Sequence, residues 1–259
     1  MKTIKYLLSY GIKPTFRRIR SALFIKFIPK KFISGRYKEK INLSDIPEMT
    51  AINTKSNNEE YKKYLNAQIE KSVSYTRYIN PAKKFLQSRS TLIESLTKRV
   101  KNHRIKCDTI LSIGSRDENE LETISSFFPK SKVSGLDLFS ASPKIKVGDM
   151  HDMPFDDNSF NITIAIHNME HSYDPHKSLG EMFRVTKEGG LLSIEVPVNF
   201  NTSETDRVDF KNLLNLLSFF KKDSIEVLWS ELEGREDFNR ASALRVIIQK
   251  LNIANLRQE

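Results

Sequence analysis

The sequence predicts an α/β protein, a mostly parallel β-sheet covered by helices on both faces. Three observations lead there. Between residues 108 and 199, short apolar runs of strand length alternate with helical patterns. The first run ends in a glycine turn that opens into a helix, Asp108-Thr-Ile-Leu-Ser-Ile-Gly-Ser-Arg-Asp-Glu-Asn-Glu120. Such a corner offers close backbone and free helix amides to an anionic group of a nucleotide. Polar residues also gather where the predicted strands end, which is where sheets of this kind bind ligands.

Length and composition set the frame. The 259 residues suffice for one large domain, or a domain with an appended segment. A hydrophobic content of 39% and a charged content of 29% describe a globular chain. The single cysteine, Cys107, excludes an internal disulfide and a cysteine-based zinc site, and fits a reducing, cytoplasmic setting. Preceding an apolar strand, it reads as a small packed hydrophobe rather than a reactive thiol. The net charge of +10 is uneven: residues 1–40 hold twelve Lys or Arg against the single acid Glu39, and the rest is nearly neutral. A neutral body argues against nucleic acid as a partner, and the basic arm points to a surface.

Three segments follow: a basic arm and linker over 1–55, helices over 56–104, and the main domain over 105–259. No apolar run in the chain is long enough to span a membrane. The first ten residues faintly resemble a secretory signal, but charges return at Lys13 and Arg17 and no cleavage site follows, so the arm is expected to be retained. After Pro14, Phe16, Ile19, Leu23 and Phe27 recur at helical steps among Arg17, Arg18, Arg20 and Lys26. A basic amphipathic helix of this kind can lie on an anionic membrane; the same face can equally pack on the body as a lid or dimer contact. Asn58-Glu-Glu opens a helix with Tyr61, Leu65, Ile69 and Val73 as its stripe, broken at Asn80-Pro81. A second helix runs from Pro81 to Lys101, with Phe85, Leu92, Leu96 and Val100 on one side. Tyr61, Tyr64, Tyr75 and Tyr78 either line a pocket or simply pack.

In the main domain, strands are expected at Thr109–Ile113, Lys132–Leu138, Lys144–Val147, Asn161–Ile166 and, after a glycine turn, Gly189–Val196. Helices are expected at Glu118–Phe128, Pro175–Lys187 and, largely buried, Phe210–Lys221; Ser224–Leu232 and Ala241–Leu251 close the fold as an antiparallel pair. Gly114 allows the tight turn after strand one. Asp137 ends strand two, at an offset that suits an acid bonding ribose hydroxyls, with a helix cap or solvated strand end as the plainer reading. Asp149 and Met150, in Gly148-Asp-Met-His-Asp-Met-Pro-Phe155, can receive an exocyclic amine and cover a purine, or form an ordinary turn. His167 and His171, in Ile166-His-Asn-Met-Glu-His171, lie where a substrate would react and can act as a base near neutral pH. Asp174-Pro175 reads as a helix N-cap. Beyond strand five, Asp206, Arg207 and Asp209 can contact a polar substrate, or Asp206 and Asp209 can cap a helix.

Together these motifs resemble the class I S-adenosylmethionine-dependent methyltransferases, in their broad small-molecule "type 11" branch. The resemblance covers about residues 105–199 and is most specific in Gly148–Phe155, Asp157–Phe160, Met169-Glu-His171 with Asp174-Pro175, and Arg184-Val-Thr-Lys-Glu-Gly-Gly190. It implies a Rossmann-like, seven-stranded, mostly parallel sheet with an antiparallel last strand. It implies S-adenosylmethionine as cofactor, with Gly114, Ser115 and Arg116 at the methionine part, Asp137 and Leu138 at ribose, Asp149 and Met150 at adenine, and His167 and Asn168 beside the sulfonium. Two departures stand out. Glu188 replaces the usual proline before Gly189. More seriously, Arg116 and Glu118 replace the second and third loop glycines, and Ser112 the acid before the first. Arg116 either clamps the cofactor carboxylate or obstructs the loop.

The function expected is methyl transfer to a small molecule or a cell-surface glycan or glycolipid precursor, with His171 or His167 as the base. The plainer reading of His171, in its Glu-His pair, is that it only holds the loop. The alternative is a non-catalytic binding or scaffold protein of the same fold, docked to membrane or a partner enzyme. A nicotinamide dehydrogenase is disfavoured by the adenine and Glu-His motifs. His167 and His171 lack an evident third ligand, so no metal is expected. The expected location is cytoplasmic, with peripheral contact at the inner membrane surface through residues 1–40.

Overall fold

The computed structural model describes residues 58–78, 81–115, 118–140, 142–233 and 242–252. The expected arm over 1–55 lies outside them, as does Arg116. Residues 41–259 make one compact unit.

Two long helices come first, α1 (Glu59–Tyr78) and α2 (Pro81–Asn102). They are followed by β1 (Thr109–Ile113), α3 (Glu118–Phe127), β2 (Lys132–Asp137), β3 (Ile145–Val147) and β4 (Phe160–Ile166). A 3-10 turn (Met169–His171), α4 (Pro175–Val185), β5 (Thr186–Val198), α5 (Leu213–Leu217), β6 (Ile225–Glu233) and β7 (Ser242–Lys250) complete the order. The seven strands run β3-β2-β1-β4-β5-β7-β6. Strands β1 to β5 pair in parallel, and β7 lies antiparallel to both β5 and β6. This is the Rossmann-like sheet with one reversed strand that the resemblance implies.

Every residue of β4 is buried, as a central parallel strand covered on both faces must be. Alternate side chains feed two cores. Ile162, Ile164 and Ile166 join Leu92, Ile93 and Leu96 of α2 and Ile124 of α3 on one face. On the other, Leu111, Ile113 and Ala165 meet Leu179, Met182 and Val185 of α4. Asp174 caps α4 by accepting from His176 N–H at 3.0 Å and Lys177 N–H at 3.2 Å, with Pro175 in the first turn. Near its far end, Arg184 donates to the carbonyls of Phe155 (2.8 Å) and Met153 (3.0 Å), and pairs with Glu181 and Asp157. The loop between β3 and β4 is thereby tied to α4.

Two elements differ from expectation. Helix α4 stops at Val185, and β5 begins at Thr186, ahead of Gly189. The helix expected over Phe210–Lys221 is reduced to Leu213–Leu217, started by Asn212, whose side chain accepts from Asn215 N–H at 3.0 Å. Burying Phe210, Leu216 and Phe220 needs only this short turn, and Leu214 is left 78% exposed.

Candidate functional site

The carboxyl ends of β1, β2, β3 and β4 open onto one cavity of ≈ 630 Å³, its mouth included. Gly114 lines it from β1, Asp137 and Leu138 from β2, Asp149 and Met150 from β3, and His167, Asn168 and His171 from β4. Tyr64, Gln68 and Ser72 of α1 form the opposite wall. These last positions follow a four-residue step, one helix face beside the apolar stripe. That period was visible in the sequence, but nothing in it tells a pocket face from a packing face.

At Gly114, φ is +72° and the amide donates to the Leu136 carbonyl at 2.7 Å. A Cβ there would lie 2.6 Å from Asn168 Nδ2, which donates to the Ile113 carbonyl. So a glycine is required both by conformation and by space. The Asn168 Oδ1 is buried and has no hydrogen-bond partner among the described residues. Ser115 is buried and turns away from the cavity, donating its Oγ to Ser112 O at 3.0 Å. Behind it, Ser112 donates to Glu120 Oε1 at 2.9 Å, so α3 supplies a buried carboxylate next to the position where the resembled family carries an acid.

The Asp149 carboxylate is already engaged. Its Oδ2 accepts from the Tyr61 hydroxyl, and its Oδ1 lies 2.7 Å from His151 Nδ1. His151 Nε2 accepts from the amides of Tyr173 (3.1 Å) and Asp174 (3.3 Å), which leaves the ring proton on Nδ1, donating to Asp149. Burial alone raises Asp149, and the bonds from His151 and Tyr61 outweigh it and hold the carboxyl below its ordinary value. Burial, then the bond to Asp149, pushes the Tyr61 phenol well up, so it stays a donor. Tyr61, Tyr64 and Tyr173 pack ring against ring, with the Arg207 guanidinium 5.0 Å from the Tyr173 ring. The side chains of Tyr75 and Tyr78 lie outside the described residues.

The two candidate bases sit in different surroundings. His167, at φ 53°, lies between two carboxylates: Nε2 is 3.0 Å from Glu195 Oε1 and Nδ1 is 3.6 Å from Glu170 Oε1. Burial alone lowers it, but Glu170 and Glu195 prevail and raise it to about 8. Glu195, fully buried, also accepts from Arg245 Nε at 2.6 Å, and Arg245 reaches Glu231 and Glu233. His171 instead faces the loop after β5, with Nδ1 2.9 Å from the Thr205 carbonyl and 3.0 Å from Asp206 Oδ1. Among the described residues, no group of three or more His, Cys, Asp or Glu could hold a metal ion.

Residues 117–194 match a family described as a methyltransferase domain. Over this segment the chain is similar to the class I S-adenosylmethionine-dependent methyltransferases. The methyltransferase segment also resembles ajmaline N-methyltransferase of Rauvolfia serpentina, 36% identical over 61 residues, or 24% of this chain and 21% of that protein. The chain thus spans about a fifth of that relative's length. Two solved structures share the fold. The Burkholderia thailandensis 1,6-didemethyltoxoflavin-N1-methyltransferase, holding 1,6-didemethyltoxoflavin and S-adenosylhomocysteine, is 12% identical with a TM-score of 0.52 over 74% of this chain and 90% of that one. A candidate sarcosine dimethylglycine methyltransferase from Galdieria sulphuraria is 14% identical, with a TM-score of 0.51 over 67% of this chain and 91% of that one.

Proposed function

We propose that this methyltransferase moves a methyl group from S-adenosylmethionine to a small-molecule acceptor. The observation carrying this reading is the single cavity on which four strand ends place Gly114, Asp137, Asp149 and Asn168 together. The residues fit the cofactor. Asn168 Oδ1 is a buried acceptor in want of a donor, which an ammonium supplies. Gly114 leaves a wall without a side chain. The Asp137 carboxylate suits ribose hydroxyls, with Leu138 beside it. Asp149 retains lone pairs for an adenine amine while Tyr61 and His151 hold it in place, and Met150 covers the ring.

When bound, the cofactor supplies an already activated methyl on a sulfonium. The protein then has to position the acceptor and, where needed, take its proton. His167 keeps its own proton at neutral pH between Glu170 and Glu195, so we assign the base to His171 and leave His167 paired with those two carboxylates. The Rauvolfia relative's being an ajmaline N-methyltransferase supports a small-molecule acceptor.

A glycan or glycolipid precursor is the narrower acceptor we propose, with a cytoplasmic protein peripherally held at the inner membrane surface. Its support is the basic charge of residues 1–40 and their apolar stripe. Calorimetry with S-adenosylmethionine tests the cofactor, and S-adenosylhomocysteine release over a panel of hydroxyl, phenol and amine acceptors tests the transfer. No heat at high cofactor concentration overturns the enzyme reading and leaves a binding or scaffold protein, the reading that Arg116 and Glu118 in place of glycines would favour.

A further inference from the structure

The loop after β5 makes an unusually complete setting for His171. Its Nδ1 has the Thr205 carbonyl at 2.9 Å and Asp206 Oδ1 at 3.0 Å. A carbonyl oxygen can only accept, so Nδ1 carries the proton, and Nε2 of the neutral ring keeps its lone pair. Nε2 has no hydrogen-bond partner among the described residues, and His171 lines the cavity. Asp206 is itself fixed: its amide donates to Ser203 Oγ at 2.9 Å, and Lys71 Nζ donates to both carboxylate oxygens at 2.9 Å. His171 first, then Lys71, holds the Asp206 carboxyl far below its ordinary range.

Helix α1 grips the same three residues in sequence. The Tyr64 hydroxyl donates to His171 O at 2.8 Å, Gln68 Nε2 to Thr205 O at 2.9 Å, and Lys71 to Thr205 Oγ1 at 2.8 Å as well as to Asp206. Residues 64, 68 and 71 lie on one face of the helix. All of them, and Asp206, fall outside the matched segment 117–194.

We propose that Asp206 is a positioning residue for methyl transfer, holding His171 with Nε2 toward the cavity, and that Lys71 on α1 keeps Asp206 in that role. The proposal rests on His171 being the base. In the step it serves, the acceptor oxygen or nitrogen forms a bond to the methyl carbon. The carbon–sulfur bond breaks with its electron pair going to sulfur. The acceptor's proton passes to His171 Nε2, and the Asp206 carboxylate faces the resulting imidazolium. The acceptor class this favours carries a removable proton, an O–H or N–H, at the methylated atom.

The test uses the full chain labelled with 15N-histidine and saturated with S-adenosylhomocysteine. The His171 Nδ1–H signal, assigned by its loss in His171→Gln, is expected far downfield. It should move upfield in Asp206→Asn, which keeps the Ser203 turn, and return partway in Asp206→Glu. With the panel acceptor that turns over, Asp206→Asn should lower kcat about 10- to 100-fold while KM and S-adenosylhomocysteine affinity change less than about threefold. An unmoved Nδ1–H signal, or a change confined to KM, overturns the proposal even if the cofactor binds. Failure of the methyltransferase reading looks different: S-adenosylhomocysteine gives no heat with the unaltered chain, whatever the Nδ1–H signal does, and both inferences then fall.

Discussion

Gly114 concentrates two constraints in one residue. A side chain there meets the left-handed penalty, roughly 1–2 kcal/mol, and collides with Asn168, whose Nδ2 would be 2.6 Å from the new Cβ. Gly114→Ala is therefore expected to lower the thermal midpoint and weaken S-adenosylmethionine binding more than about tenfold by calorimetry; wild-type affinity would remove Gly114 from the cofactor wall. Asp137→Ala should weaken the same binding about 10- to 100-fold, the scale of a lost hydrogen bond to a charged group, with little change in melting. His167 gives a pH signature. Its value rises from 6.5 to about 8 on folding. The stability it adds, about 2 kcal/mol at most, is fully present below pH 6.5 and is lost as pH rises through 8. Urea midpoints should fall over that window, and His167→Gln should flatten the fall; a slope that survives the substitution places its origin elsewhere. The strand-end residues were legible because a parallel sheet fixes where chain ends emerge. Which side chains turn inward was not: Ser115 bonds back to Ser112, and Asp149 is shared with Tyr61 across eighty-eight residues of sequence.

At the scale of elements, legibility followed how far local pattern decides structure. The strands β1 to β4 and helices α1 to α3 lie within a residue or two of their expected ends, since caps, prolines and buried apolar runs act locally. Helix α5 was overdrawn because six large apolar residues between Leu213 and Phe220 give no helical face, and only three-dimensional packing selects Leu216 and Phe220 as anchors. Strand β7 read correctly as a strand, but not its buried charge. Arg245 is 2% exposed and binds Glu195, Glu231 and Glu233 from the strands on either side. Those partners come from β5 and β6, so strand order alone brings them together. Arg245→Ala leaves the Glu195 carboxylate buried without its arginine. The loss expected is about 3–5 kcal/mol of unfolding free energy, read from denaturant midpoints. A loss below about 1 kcal/mol would mean that His167 alone satisfies Glu195.

Across the whole molecule, charge is divided along the chain. Residues 1–40 carry +11, and residues 41–259, a compact unit of their own, carry −1. A body so close to neutral offers an anionic surface little attraction, whereas each Lys or Arg brought near such a surface contributes about 1 kcal/mol. That attraction extends only about 10 Å at 0.1 M salt, so binding through the arm must weaken steeply with ionic strength. The full chain is expected to cosediment with phosphatidylserine vesicles at low salt, to remain in solution at high salt, and to ignore vesicles of phosphatidylcholine alone. A chain beginning at residue 41 should stay in solution in every case. It should keep the cofactor affinity of the full chain, because Tyr64, Gln68 and Ser72, the helical wall of the cavity, all lie beyond the cut. If the two chains sediment alike, the arm is not a membrane contact. If the shorter chain instead loses cofactor binding, residues 1–40 complete the site, and their basic stripe serves packing rather than a lipid surface.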